Sequence, residues 1–244
     1  WFMRNFQEAS DYQPLLDALV AAGRVSDACW LMDQFGPTKT VLEVDALEAD
    51  AVVFAGSLHV RGQIDVDTVL RIGGHLRAES GIRVGRSLQV GEDLWAAGNI
   101  RSMGCLEVDG DVRVDWNLLV EERLDCGGDL RVGRDVEVGT DCKIGGQSTV
   151  GGDVAVGAAL KCLSNLRVRG ALKVGGSVWS AQGIDVSQGI DVRDHLEACW
   201  GIVSGKSIVS GGAIKTGESL AGEEIIQAGD GYGIYAGLNV PEED

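Results

Sequence analysis

Aliphatic residues recur along this chain with a spacing of two inside units of six. From Ser57 to Asp230 the register holds without an insertion, giving 29 units. Ser57-Leu58-His59-Val60-Arg61-Gly62 leads to Gln63-Ile64-Asp65-Val66-Asp67-Thr68. Asp129-Leu130-Arg131-Val132-Gly133-Arg134 leads to Asp135-Val136-Glu137-Val138-Gly139-Thr140. The second position is Leu, Ile or Val except at Cys142 and Ser148, and the fourth is Val, Ile or a small residue. Alternation of this kind is the pattern of a strand with one buried face. Two inward residues are all that fit before a Gly-rich pair, so each strand is very short. The glycines mark corners, on the expectation that they supply backbone conformations other residues resist.

A short strand and a corner every six residues predict a β-solenoid. One unit cannot bury its apolar pair alone, whereas stacked units bury them in a continuous column. Three units per coil make a triangular prism with an 18-residue coil. The regular stretch then forms about ten coils, a rod of roughly 45–50 Å at ~4.8 Å per coil. Hairpins or a sandwich would show turn signals at uneven spacing, and the unbroken register argues against them.

Ahead of the repeat the period changes. Residues 1–9 are helix-compatible but short. Ser10 or Asp11 is a candidate N-cap, Pro14 suits a first turn, and Leu15, Leu16, Leu19 and Val20 recur at helical spacing up to Gly23. Ser26 or Asp27 can start a second helix, which Gly36-Pro37 ends. The expected organisation is a helical hairpin over residues 1–39, a solenoid over 40–240 and an acidic tail over 241–244. The hairpin is expected to cover the open end of the rod, where apolar residues and strand edges would otherwise be bare. Between 198 and 228 the fourth position shrinks (Ala198, Ser204, Ser210, Thr216, Gly222, Ala228), which predicts a narrower column. Tyr232, Tyr235 and Leu238 are read as plugs over the last coil, with Pro241 and the tail stopping further pairing.

Two families share this pattern. Val132-Gly133-Arg134-Asp135-Val136-Glu137 through Val150-Gly151-Gly152-Asp153-Val154-Ala155 resembles the repeat of left-handed β-helix acyltransferases. Elsewhere the later inward position is usually Leu or Ile, as in Leu88, Leu94, Leu130 and Leu166, too large for that family's tight corner. Two sizeable inward residues per unit resemble instead the bactofilins, polymer-forming proteins with a right-handed triangular β-helix. That resemblance covers about three quarters of the chain and implies right-handed winding, with left-handed winding as the alternative. The run Ile214-Lys215-Thr216-Gly217 through Ala236-Gly237 resembles bacterial hexad-repeat proteins, some of which neutralise a toxin encoded beside them.

The net charge of −16 disfavours nucleic acid and anionic membranes as partners. Six cysteines show no metal-ligand spacing, and Cys126, Cys142 and Cys162 fall at inward positions as small apolar fillers. The absence of a signal peptide or long apolar run suggests the cytoplasm, although a chain beginning at Trp1 leaves its natural start open. His59, His75 and His195 assemble no triad or metal cluster, and no loop interrupts the repeat to wall a substrate cleft. A catalytic role, cofactors and metals are therefore not expected, and an acyltransferase is the least favoured alternative.

The outward residues carry more information. With an 18-residue coil, His59, Arg77, Trp95, Arg113, Arg131, Thr149 and Arg167 line one face, beside the first-position acids Asp93, Asp111 and Asp129. Such ladders keep a sheet soluble, each pair contributing under ~1 kcal/mol, or they make a docking face centred on Trp95. Trp95 and Trp116 stand one coil plus three positions apart on that face, and Trp179 and Trp200 repeat the spacing on another. Trp beside Arg is a composition found at interface hot spots. The expected partner-binding residues are Arg77, Trp95, Arg113, Trp116, Arg131, Trp179 and Trp200. The functional expectation is a cytoplasmic, non-enzymatic protein-binding module, in its specific form an inhibitor or immunity protein that neutralises a toxin through its faces or helices. The alternative is a bactofilin-like scaffold.

Overall fold

The computed structural model describes residues 12–237. Three parallel sheets of 11 strands each wrap around one column, so the chain is a β-solenoid of triangular-like section with two helices before it. Face one starts with Val41–Val44, face two with Leu47–Ala49 and face three with Val52–Phe54. Every third strand returns to the same sheet, so Leu94 pairs with Leu76 on one side and Val112 on the other. The 18-residue coil is thus observed directly, and the solenoid begins a coil earlier than the regular repeat.

The first coil is shorter and the last is longer. Leu42 pairs with Leu58 and Leu47 with Ile64, 16 and 17 residues apart. Ile214 pairs with Ile234, 20 residues apart, two more than in a regular coil, with a turn at Asp230 and Gly231 closed by Tyr232 N–H to Gly229 O.

Strand cores are buried, exposed or half-buried, then buried again, as at Leu130-Arg131-Val132. The inward residues form a single apolar cluster from Phe54 to Ile214. Backbone groups pair from coil to coil, as in Leu130 N–H to Gln147 O at 2.9 Å and Gly133 N–H to Val114 O at 2.8 Å. Where the fourth position is small and polar, its hydroxyl satisfies a corner carbonyl. Ser180 Oγ donates to Ser164 O at 2.8 Å, and Ser204 Oγ to Gln188 O at 2.7 Å. At Ser204, Ser210 and Thr216 the small residue thus also satisfies a backbone carbonyl, because a buried hydroxyl needs a partner, whereas Ala198, Gly222 and Ala228 only reduce bulk. Ser148, at a second position, is buried with no partner for its Oγ among the described residues.

The corner glycines differ from expectation in mechanism. Among the described residues, positive φ occurs only at Gly23, Gly36, Gly231 and Gly237, none of them at a regular corner. Closeness of the coils is the operative constraint: a Cβ on Gly133 would lie 2.2 Å from Asp115 O in the coil before.

Helix α1 (Gln13–Ala21) carries Pro14 in its first turn, and helix α2 (Val25–Phe35) ends at Gly36 with φ 74°. The expected caps Ser10 and Asp11 lie outside the described residues, as do residues 1–9, Leu238 and the tail. The described part of the hairpin packs beside the opening of the rod. Leu16, Ala28, Leu31 and Met32 pack on Val53 and Ala55, on the outer side of face three's first strand. Gln13 completes that strand's free edge: its Nε2 donates to Val53 O at 2.9 Å, and Ala55 N–H donates to its Oε1 at 2.9 Å. A cleft of about 340 Å³ remains between α1 and the inward residues of the first coil, including Leu42, Val44, Leu47 and Phe54.

Tyr232 and Tyr235 do not plug the column. Tyr235 pairs in register with the outward Lys215, and Tyr232 packs edge-on against His195 on the outer surface. The two inserted residues push this turn outward instead of folding it over the end.

Candidate interaction surface on face one

The predicted outward ladder is in register from coil to coil: His59, Arg77, Trp95, Arg113, Arg131, Thr149, Arg167 and then Asp185. The Arg77 guanidinium lies 4.4 Å from the centroid of the Trp95 ring. Parallel pairing forces this stack, since residues 18 apart are held about one strand spacing away on the same side.

Trp116 is not on the flat of the face. It sits at the corner after Val112–Val114, 47% exposed, with the Arg134 guanidinium 4.2 Å from its ring centroid. Arg134 was missed in the sequence, although it lies one coil beyond Trp116 at the same position of its unit. The same rule gives Lys161 over Trp179, at 5.0 Å. Trp179 belongs to face three, and Trp200 occupies the corner that follows it, 50% exposed, above Arg167, Asp185 and Val203 of face one. The structure thus brings Arg77, Trp95, Arg113, Trp116 and Arg131 together, places Trp200 further along, and separates Trp179 from them.

The charges of this face are largely self-paired. Arg131 Nη2 meets Asp129 Oδ2 at 2.6 Å, Arg113 Nε meets Asp115 Oδ1 at 3.1 Å, and Arg77 Nη2 meets Glu79 Oε1 at 3.7 Å. Arg131 alone of the three also reaches the first-position ladder's next rung, Asp111, at 4.0 Å. The first-position acids chiefly do something else. Each hands a carboxylate oxygen to the backbone of the next coil, Asp93 to Asp111 N–H at 2.9 Å and Asp129 to Gln147 N–H at 2.8 Å. Asn99 and Asn117 do the same at another corner. The signal was visible as Asp or Asn returning every 18 residues at a position that needs only an acceptor.

Among the described residues no three His, Cys, Asp or Glu side chains are grouped to hold a metal ion. Burial raises the Cys126 thiol to about 12, with two backbone contacts pulling weakly the other way, and raises Cys142 and Cys162 as well. These thiols are protonated packing groups, not nucleophiles. No helix among the described residues is long and apolar enough to cross a membrane. The chain matches no family model, no curated protein and no solved structure with which it was compared.

Proposed function

We propose that this protein is a non-catalytic binding module that holds another protein on face one, with Trp95 and Trp116 as anchors. The observation that carries the reading is the pair of guanidinium–indole stacks, Arg77 on Trp95 and Arg134 on Trp116, on neighbouring coils of one side of the rod. Stacking holds each ring in place before contact, so less side-chain entropy is lost on binding. The self-paired arginines keep the surface from being a plain basic stripe, so recognition rests on the indoles and on the geometry of the ion pairs. An inhibitor or immunity protein that occupies a toxin's working surface is the specific form of this reading, favoured by the resemblance of the C-terminal run.

The test is affinity capture from native extract with wild type, Trp95→Ala and Arg131→Glu side by side. A protein held stoichiometrically by wild type and lost by both variants, with unchanged thermal melts, supports the reading. Equal capture by all three sinks docking on face one.

A second reading has its own observation. Val41 and Leu42 at the first coil are exposed, as are Ile225 and Ile234 near the last. Among the described residues, no hydrogen bond is made to the outer edge of the first strand of face one or face two, and unpaired edges favour end-to-end pairing into a bactofilin-like filament. Light scattering behind a sizing column separates the two: growth with concentration favours the filament, and a constant mass favours the module.

A further inference from the structure

The last coil carries a site unlike the rest of the rod. On face three, Trp179, Glu197, Lys215 and Tyr235 occupy successive rungs of the outward ladder. The two-residue insertion at Gly231 and Tyr232 raises a wall beside them, with the Tyr232 ring 5.3 Å from His195 at 80°. The half-open groove measures about 580 Å³, within the range of small-molecule sites.

Its polar groups are uncommitted, in contrast to face one. Among the described residues neither Glu197 nor Lys215 makes an ion pair or a side-chain hydrogen bond, although they are neighbours in register. His195 is different: its Nδ1 accepts from Ala213 N–H at 3.0 Å. A ring nitrogen that accepts carries no proton, so in the neutral ring the N–H is on Nε2 and is free to donate. The groove therefore offers one fixed donor, one carboxylate, one ammonium and three aromatic rings, of which Trp179 already carries the Lys161 ammonium over one face.

We propose that this groove binds a neutral oligosaccharide, with Trp179, Tyr232 and Tyr235 packing on the apolar faces of sugar rings and His195, Glu197 and Lys215 hydrogen-bonding their hydroxyls. Sugar rings present flat C–H faces bordered by hydroxyls that both donate and accept, which matches this mixture. Lys161 and Lys215 on the ladder disfavour a cationic ligand, and the net charge of −16 disfavours a polyanion. Trp179 and Tyr235 are three rungs apart, roughly 14 Å at strand spacing, which calls for a chain of sugars and not a single one.

The experiment is isothermal titration of the intact protein with cellotetraose, chitotetraose and maltotetraose. A heparin tetrasaccharide and a trimethyl-lysine peptide serve as charged controls. Binding of at least one neutral tetrasaccharide, weakened tenfold or more by Trp179→Ala and by Tyr232→Ser and unchanged by Trp95→Ala, supports the site. Tyr232 lies on an exposed turn, so its variant tests the groove without disturbing the column. No binding of any neutral sugar at millimolar concentration, binding of the charged controls alone, or affinity unaffected by both variants overturns it. Because Trp95 is on another face, failure here leaves docking on face one unaffected, and the reverse also holds.

Discussion

Asp111 Oδ1 accepts a hydrogen bond from the backbone N–H of Asp129, 2.8 Å away and 18 residues later. Asp93 does the same for Asp111, so three carboxylates stack in one corner, each bridging to the coil above. The arrangement exchanges like-charge repulsion for a satisfied corner amide, and Arg131 offsets part of the repulsion by contacting both Asp129 and Asp111.

Replacing Asp111 with Ala removes the acceptor and should lower stability by about 1 kcal/mol, the usual net contribution of a hydrogen bond. Asp111→Asn keeps an acceptor oxygen and removes one of the stacked charges. It should be neutral, or stabilising at low salt, as Asn99 and Asn117 already show that an amide fits such a corner. Urea denaturation at two ionic strengths reads both effects; equal loss in the two variants would mean that charge, not the acceptor, matters.

Ser148 lies between Leu130 and Leu166 with a buried hydroxyl that has no partner. Ser148→Val should raise stability by about 1–2 kcal/mol, because it removes an uncompensated polar group and adds apolar volume. A lower melting temperature would mean that the site has no room for the added methyl group.

Leu130 is buried at the centre of the column. Leu130→Asp should abolish cooperative melting, since a lone carboxylate there has no partner. A soluble, cooperatively melting variant would contradict the register.

Gly133→Ala should destabilise the rod by more than about 1 kcal/mol, because the new methyl group has to separate two coils or push Asp115 O aside. The same exchange at Gly23, where nothing lies within 4 Å but φ is 71°, should cost through backbone conformation alone. Thermal melts of the two variants, set beside local hydrogen exchange, distinguish the causes.

Burial holds the Cys126 pKa at about 12, against an ordinary 9.0. The folded state therefore keeps its proton where the unfolded chain loses one. The contribution to stability is complete below pH 9 and falls as pH rises from 9 toward 12. Cys126→Ala should flatten that decline. A thiol reagent at pH 8 should label exposed Cys199 and spare Cys126, Cys142 and Cys162 until the protein unfolds.

The column was legible in the sequence because its rule is local: Leu130 and Val132 point inward for the same reason as Leu94 and Ala96. Adding 18 to a residue number predicts its neighbour, and that arithmetic placed Trp95 beside Arg77 and Arg113. It was available for Arg134 on Trp116 too. What was not legible depends on places where the rule stops. The hairpin's seat on Val53 and Ala55 rests on Gln13, a residue with no periodic signature. The turn at Tyr232 is set by two inserted residues whose direction no alternation specifies. The corner glycines were recognised as corners, but their reason, the closeness of one coil's carbonyl to the next coil's Cβ, exists only once the coils are stacked.

The unvarying return of each strand to its own sheet also limits how such a protein can change length. Loss of one residue within a strand would turn every following side chain of that strand from column to solvent. Loss of six would move each face onto the edge of another and scatter the Asp93, Asp111 and Asp129 corner. Removal of a whole coil, such as residues 111–128, rejoins Gly110 to Asp129 with every inward residue and corner acceptor still in line. The chain can thus be cut or extended by entire coils, and the rod's length is a heritable dimension that changes in steps of about one strand spacing.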